Sequence, residues 1–119
     1  MRNTLLIRSI ALFLAAGGAF GCSGDADPGA RVWRKKCSAC HGSDGAGRTR
    51  FAEGRPFADL TDGRWRHGPD REAVRRLVAD GDPASPMPPF AGRLSPEEID
   101  AVVDFSLGLA AAGRPGARP

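Results

Sequence analysis

Apolar residues recur on one face of a helix over the C-terminal third of the sequence. Ser95, Pro96 and Glu98 supply an N-cap hydroxyl, a first-turn proline and the acid of a capping box. The positions that follow have the three- and four-residue spacing of a helix with one buried face: Ile99, Val102, Val103, Ser106 and Leu109. The pattern predicts a helix that begins at Pro96 and continues to Leu109.

Two further helices are predicted earlier in the chain. Asp27 followed by Pro28 is typical of a helix start, and this first helix is expected to run to about Lys36. Asp70 caps the next helix, which ends at Gly81. The apolar stripe of that second helix has i, i+3, i+4 spacing and consists of Ala73, Val74, Leu77 and Val78.

The remaining sequence predicts loops. No segment alternates between apolar and polar residues, and residues 42–61 and 82–94 are rich in Gly, Pro, Asp and Arg. The expected fold class is all-α, with three to four short helices separated by long loops. Because ordering the backbone costs about 1–2 kcal/mol per residue, loops with few apolar contacts need another source of buried surface. A large apolar cofactor would supply it.

The first twenty-two residues predict export. An apolar run from Ile10 to Phe20 follows Arg2 and Arg8, and at about eleven residues it is too short to span ~30 Å of hydrocarbon. Cys22 lies where processing would occur, so the segment resembles a bacterial lipoprotein signal with Cys22 as the lipidated N-terminus. Ordinary cleavage nearby is the alternative. We therefore expect a lipid-anchored protein on the periplasmic side of a bacterial membrane, with a signal peptide at 1–21, a tether at 22–27, a folded domain at 28–110 and a disordered tail at 111–119.

Length and charge narrow the function classes. The chain has 119 residues, which allows one small domain and excludes a large multidomain catalyst. Of its seventeen basic and fourteen acidic residues, Arg2 and Arg8 lie in the predicted signal, which leaves fifteen against fourteen and a mature charge of +1. So small a surplus predicts no nucleic-acid partner.

The candidate chemistry lies in a Cys-x-x-Cys-His motif, Cys37-Ser38-Ala39-Cys40-His41. This spacing is typical of c-type haem attachment, because two thiols add across the two vinyl groups of one haem while the adjacent imidazole reaches the iron. A thioredoxin-like redox pair would need a strand before the motif, where this sequence predicts a basic helix. A zinc site would need a further ligand, for which His67 is the candidate.

Residues 29–109 resemble a class I c-type cytochrome, a small electron-transfer domain with a single haem. In that family a glycine lies four residues before an aromatic residue, which lies four residues before the first haem cysteine. Gly29, Trp33 and Cys37 have this spacing, and Phe105 stands where the last helix of the family carries its matching aromatic residue. The resemblance implies that the first and last helices cross near Gly29 around one covalently bound haem c.

Met87 is the predicted sixth ligand of the haem iron. It is the only methionine besides the initiator, and it lies in the loop segment Ser85-Pro86-Met87-Pro88-Pro89-Phe90. The flanking prolines restrict the backbone and so limit the entropy lost when a thioether is held toward iron. The resembling family also has a Met-Pro segment here. His67 is the rival ligand.

The resemblance implies two further contacts near the haem. An aromatic residue ahead of the second helix lies near the haem propionates in this family, so the indole of Trp65 could donate a hydrogen bond to one of them; packing beneath the long loop is the alternative. A proline in the loop after the motif accepts a hydrogen bond from the other ring nitrogen of the ligating histidine. Pro56 is the residue expected to do this for His41.

These residues predict a protein that transfers single electrons and is not an enzyme. A thioether opposite an imidazole raises the reduction potential of a haem, and two protein ligands leave no vacant position for a substrate. The expected partners are redox proteins, a donor and an acceptor such as a dehydrogenase or a terminal oxidase, together with the membrane surface through the lipid on Cys22. Two alternatives stay open: a haem enzyme or gas sensor with a labile sixth ligand, and the small haem subunit of a larger oxidoreductase complex.

Overall fold

The computed structural model describes residues 27–113, so the predicted signal peptide, Cys22 with most of the tether, and residues 114–119 lie outside it. In this range the helices are α1 (Pro28–Val32), a π-helical segment (Trp33–Cys37), α2 (Ser38–His41), α3 (Arg71–Asp80) and α4 (Pro96–Gly113), with 3₁₀ turns at Arg50–Ala52 and Pro56–Ala58. The strand-like pairing between residues 27 and 113 is limited to one isolated bridge, Ala91 with Leu94. The all-α prediction is therefore confirmed. None of the described helices is long and apolar enough to cross a lipid bilayer.

The first helical segment begins where the sequence predicts and ends later. The Asp27 carboxylate accepts hydrogen bonds from two first-turn amides, at 2.8 and 3.4 Å, and Pro28 occupies the first helical position. The backbone does not leave the helix near Lys36, because the π-helical turn Trp33–Cys37 leads directly into α2 and on to His41. Single π-helical turns are frequent at functional sites, and this one carries the first cysteine of the motif.

Helices α1 and α4 cross at Gly29, as the resemblance implies. A Cβ atom at this position would collide with the carbonyl oxygen of Ala101 and would lie 2.9 Å from the Cβ of Phe105. Only glycine permits so close an approach of two backbones. The ring centroids of Trp33 and Phe105 are 5.8 Å apart, so the two aromatic residues pack together beside the crossing.

Helix α3 has the predicted boundaries. The Asp70 side chain accepts a hydrogen bond from the Ala73 amide at 2.9 Å, and Gly81 ends the helix with φ of +75°. Helix α3 packs against α4, so the apolar faces of both helices are buried in the same core. Two clusters make up this core: Val32, Trp33 and Val102 near α1, and Val74, Ile99 and Val103 near α3.

Helix α4 begins with the predicted capping box and ends beyond the predicted boundary. The Ser95 hydroxyl accepts from the Glu98 amide at 3.1 Å, while the Glu98 carboxylate accepts from the Ser95 amide at 2.9 Å. The assignment of residues 111–113 to a disordered tail is wrong, because α4 continues to Gly113. Alanine is the strongest helix former, Ala110 is buried, and Gly113 contacts Thr61 of the long loop.

Candidate functional site

A cleft lined mainly by apolar side chains lies between the Cys-x-x-Cys-His motif and the loop that follows α3. Its walls include Cys37, Cys40 and His41 from the motif and Met87 from the loop, together with Trp65. The structure therefore brings together five of the six predicted haem-site residues, and Pro56 does not line the cleft. Several apolar core residues also line the cleft: Trp33, Val74, Leu77, Val78, Phe90 and Val102.

His41 is held in one orientation by a backbone carbonyl. Its Nδ1 lies 2.8 Å from the carbonyl oxygen of Ala58, so the neutral ring donates from Nδ1 and keeps the Nε2 lone pair for a metal. Burial lowers the pKa of His41, although the hydrogen bond to Ala58 opposes this effect. The imidazole is therefore neutral at pH 7. The ring of Trp33 lies 5.8 Å from that of His41.

The acceptor for His41 is not Pro56, so that prediction is wrong. Pro56 begins a 3₁₀ turn, and its carbonyl accepts from the Asp59 amide at 3.2 Å, which uses it within the turn. The carbonyl of Ala58, two residues later, emerges from the end of the turn and faces His41. The number of residues between the motif and this proline differs from the commonest number in the resembling family. In this structure the carbonyl of Ala58 accepts the hydrogen bond from His41.

Gly47 brings the loop after the motif against Ala58. Its amide donates to the His41 carbonyl at 2.8 Å, its φ is +66°, and a Cβ atom there would lie 2.9 Å from the carbonyl carbon of Ala58. Sequence analysis did not identify Gly47 or Ala58 as site residues. The glycine-rich loop indicates turns, but it does not tell which glycine makes the close approach.

The two motif cysteines have different surroundings. Cys37 is half-buried and Cys40 is exposed. Burial, and secondarily the neighbouring Cys40, raises the pKa of Cys37 to about 11, so its thiol is protonated at neutral pH. A thioredoxin-like redox pair needs a thiol of lowered pKa, which argues against that alternative. Nor does any cluster of three His, Cys, Asp or Glu side chains suited to a metal ion occur between residues 27 and 113.

Met87 lies on a loop fixed by backbone hydrogen bonds. Its carbonyl accepts from the Asp82 amide at 3.1 Å, and its amide donates to the Ser85 hydroxyl at 3.3 Å. Gly81 lies against this loop, where a Cβ atom would be 2.9 Å from the Met87 carbonyl oxygen. The half-buried side chain of Met87 therefore faces the cleft from a constrained backbone.

Trp65 and His67 are engaged with other parts of the protein. The indole Nε1 of Trp65 donates to the carbonyl of Leu60 at 2.9 Å, within the long loop. His67 is exposed, and its Nε2 lies 3.6 Å from the Asp82 carboxylate. Neither side chain has a ring nitrogen held by a backbone carbonyl while a second ring nitrogen stays free, as His41 does.

Comparison with known families identifies the family to which this chain belongs. The family described as "Cytochrome C oxidase, cbb3-type, subunit III" matches residues 24–105, which include the whole motif and the Met87 loop. The chain belongs to this family of c-type cytochromes.

Relatives of known name and structure agree with this family. The cytochrome is 34% identical over 116 residues to the "Cbb3-type cytochrome c oxidase subunit FixP" of Rhizobium etli, an alignment that covers 76% of this chain and 38% of the relative. It is 32% identical to "Cytochrome c6" of Nostoc sp., over 90% of this chain and 91% of the relative. The crystal structure of cytochrome c6 from the diatom Phaeodactylum tricornutum superposes with a TM-score of 0.58 at 30% identity, covering 72% of this chain and 94% of that one. The cytochrome spans only about a third of the length of the oxidase subunits that it matches.

The cofactor of this c-type cytochrome is covalently bound haem c, and the residues of the cleft fit it. The donor set consists of two thiols, a neutral imidazole with one free nitrogen, and a thioether. Two large apolar side chains, Phe51 and Phe57, are exposed at the cleft, which is the surface that an extended apolar ring would contact. The need for an apolar cofactor, inferred from the long loops, is thus met.

Proposed function

We propose that the protein carries single electrons on one haem that is bound through Cys37 and Cys40 and ligated by His41 and Met87. The observation that supports this most directly is the convergence of these four side chains on one apolar cleft, with the His41 ring held by Ala58. Haem bound in this way supplies reversible one-electron chemistry. The protein's part is to fix both axial side chains and to keep water away from the ring.

Two protein ligands favour a carrier over an enzyme. The Nδ1–H of His41 is committed to Ala58, so Nε2 keeps a fixed direction toward the cleft, and the proline-flanked loop restricts how far Met87 can move. With both positions occupied by side chains, no position is left for oxygen or another substrate. The soft thioether raises the potential relative to a second imidazole.

The matched relatives favour a second function, that of a haem subunit in a larger oxidase-type complex. The family is that of a cbb3-type oxidase subunit, and several relatives bear that name. The chain matches about a third of each such relative, which is the length of a single electron-transfer domain. In either role the haem passes electrons; a stable complex found on purification would identify the subunit role, and a monomeric protein would identify the carrier.

Basic side chains beside the cleft suggest the charge of the redox partner. Lys35, Lys36 and Arg50 are exposed and make no ion pair within residues 27–113, and Lys36 also lines the cleft. Unpaired charges of one sign steer an oppositely charged partner during diffusion. We propose redox partners with an acidic docking surface.

The proposed function predicts a one-electron redox titration. The purified mature protein should contain one haem, and its reduced fraction should follow the applied potential as a single step that involves one electron. The measurement is a spectroscopic potentiometric titration in both directions. A second redox step, or consumption of oxygen or peroxide by the reduced protein at a catalytic rate, would contradict a simple carrier.

We also propose that Cys22 carries a lipid that holds the protein at the periplasmic side of a membrane. The diacylglyceryl and amide-linked chains of a bacterial lipoprotein bury several tens of methylene groups at roughly 0.8 kcal/mol each, which makes the attachment effectively permanent. About five tether residues at ~3.3 Å each connect this anchor to α1, so the haem domain stays within a few nanometres of the bilayer. Its partner must then be reachable at the membrane surface.

Replacing Cys22 with serine should release the cytochrome into the soluble exported fraction. The haem spectrum should not change, because the anchor takes no part in ligation. Cell fractionation and mass spectrometry of the N-terminus measure the two properties separately. If the wild-type protein is already soluble and its unmodified N-terminus lies beyond Cys22, the proposed lipid anchor is wrong and the protein is a diffusible carrier.

A further inference from the structure

Asp82 has a feature that electron transfer by itself does not explain. It is the one charged side chain among the buried residues between positions 27 and 113, and only 9% of its surface is exposed. A hydrogen bond from the Ala84 amide, aided by Ser85, Arg66 and His67, lowers the pKa of Asp82, so the carboxyl is ionised at neutral pH. A buried charge is unfavourable unless it is paired and hydrogen-bonded, so the partners of Asp82 define its role.

The backbone and side chain of Asp82 close the loop that carries Met87. The Asp82 amide donates to the Met87 carbonyl at 3.1 Å, and its carbonyl accepts from the Ser85 amide at 3.0 Å. Oδ1 accepts from the Ala84 amide at 2.9 Å, which forms an Asx turn at the start of the loop. Three bonds from one residue therefore fix the loop between the end of α3 and Met87.

The second carboxylate oxygen joins this loop to the long loop before α3, which also lines the cleft. Oδ2 lies 3.2 Å from Nη1 of Arg66 and 3.6 Å from Nε2 of His67, both in the long loop before α3. Arg66 also lies 4.9 Å above the ring of Phe57, which keeps its guanidinium in place. Asp82 thus connects the Met87 loop to the long loop before α3.

We infer that Asp82 is a positioning residue that keeps Met87 at the haem iron by clamping the Met87 loop to Arg66 and His67. The inference rests on the proposed ligation by Met87. Without the clamp the loop would leave the cleft more often, and an external ligand would enter the sixth position more easily. Asp82 would in this way limit how readily an external ligand replaces Met87 at the iron.

The test compares two Asp82 variants with a neighbouring control. Asp82→Asn keeps an oxygen for the Ala84 amide but loses the charge that faces Arg66 and His67, whereas Asp82→Ala loses both contacts. Asp80→Asn removes the same charge two residues away; Asp80 is exposed, and within residues 27–113 its side chain makes no hydrogen bond and no ion pair. The rate at which imidazole replaces the sixth ligand in the ferric holoprotein should rise roughly tenfold in Asp82→Asn and further in Asp82→Ala, with Asp80→Asn unchanged.

Further measurements separate positioning from general stability. Arg66→Gln should also speed imidazole entry, and Asp82→Asn should add little to it, because both changes break the same clamp. Methionine ligation gives ferric haem a weak absorption band. This methionine–iron band should weaken in the Asp82 variants at temperatures well below those at which they unfold. If wild type shows this band and Asp82→Asn exchanges ligand at the wild-type rate, Asp82 only stabilises the fold and the inference fails. If wild type lacks the band, ligation by Met87 is itself wrong.

Discussion

Met87→Ala will leave the haem attached but will open the sixth position of the iron to carbon monoxide. The covalent bonds depend on Cys37 and Cys40, which belong to the helical segment of the motif and not to the Met87 loop, so attachment should proceed as in wild type. The reduction potential should fall by on the order of 0.1 V or more, within the ~0.8 V range over which axial ligands set haem potentials. Spectra of the reduced protein with and without carbon monoxide, and a redox titration, measure both effects.

Met87→His is the matched comparison for this prediction. It restores a second protein ligand, so carbon monoxide should again be excluded, while the potential should stay low because an imidazole replaces the thioether. If the Met87→Ala protein has the wild-type spectrum and forms no carbon monoxide adduct, a side chain other than Met87 is the sixth ligand. His67 is the next candidate, although it is exposed and paired with Asp82.

Cys37→Ala or Cys40→Ala will reduce the yield of stable holoprotein by roughly tenfold or more. Each variant retains one thioether at most, and the long loops bury few apolar groups of their own, so loss of the cofactor removes a large part of a marginal stability. The measurement is haem that stays with the chain on a denaturing gel, together with the amount of folded protein. Yields near those of wild type would contradict covalent attachment at both positions.

Two other substitutions control for non-specific damage. Ala39→Ser changes an exposed residue between the two cysteines, and Cys22→Ser removes the third cysteine of the chain. Neither should lower the haem content. If Cys22→Ser were as damaging as Cys37→Ala, the loss would reflect export and processing, and the motif cysteines would have to be tested again in a soluble version.

The helices could be predicted because each carries local signals at both ends or along one face. Asp27, Asp70 and Ser95 all make the side-chain capping bonds that their positions indicate. The crossing at Gly29 could be anticipated only through the resemblance to class I c-type cytochromes, whose first helix has a glycine four residues before an aromatic residue. The donor set of the site follows from residue type and spacing, which are properties of the sequence alone.

The orientation of the site could not be predicted, because it depends on backbone groups in loops. Every peptide has a carbonyl, so no residue type identifies Ala58 as the partner of His41, and Pro56 was the wrong choice. The indole of Trp65 finds its acceptor at Leu60, five residues earlier, through a turn that has no sequence signature. The extension of the last helix to Gly113 depends on Ala110 being buried in the tertiary structure.

Near-infrared magnetic circular dichroism of the ferric wild-type protein tests the central claim most directly, because the energy of the charge-transfer band differs between axial ligand pairs. The proposed account predicts the band of a histidine–methionine haem in the ferric protein. In a separate measurement, carbon monoxide should leave the visible spectrum of the reduced protein unchanged. The band of a bis-histidine haem, or of a haem with water as its sixth ligand, would contradict ligation by His41 and Met87 and with it the account of this protein as a closed electron carrier.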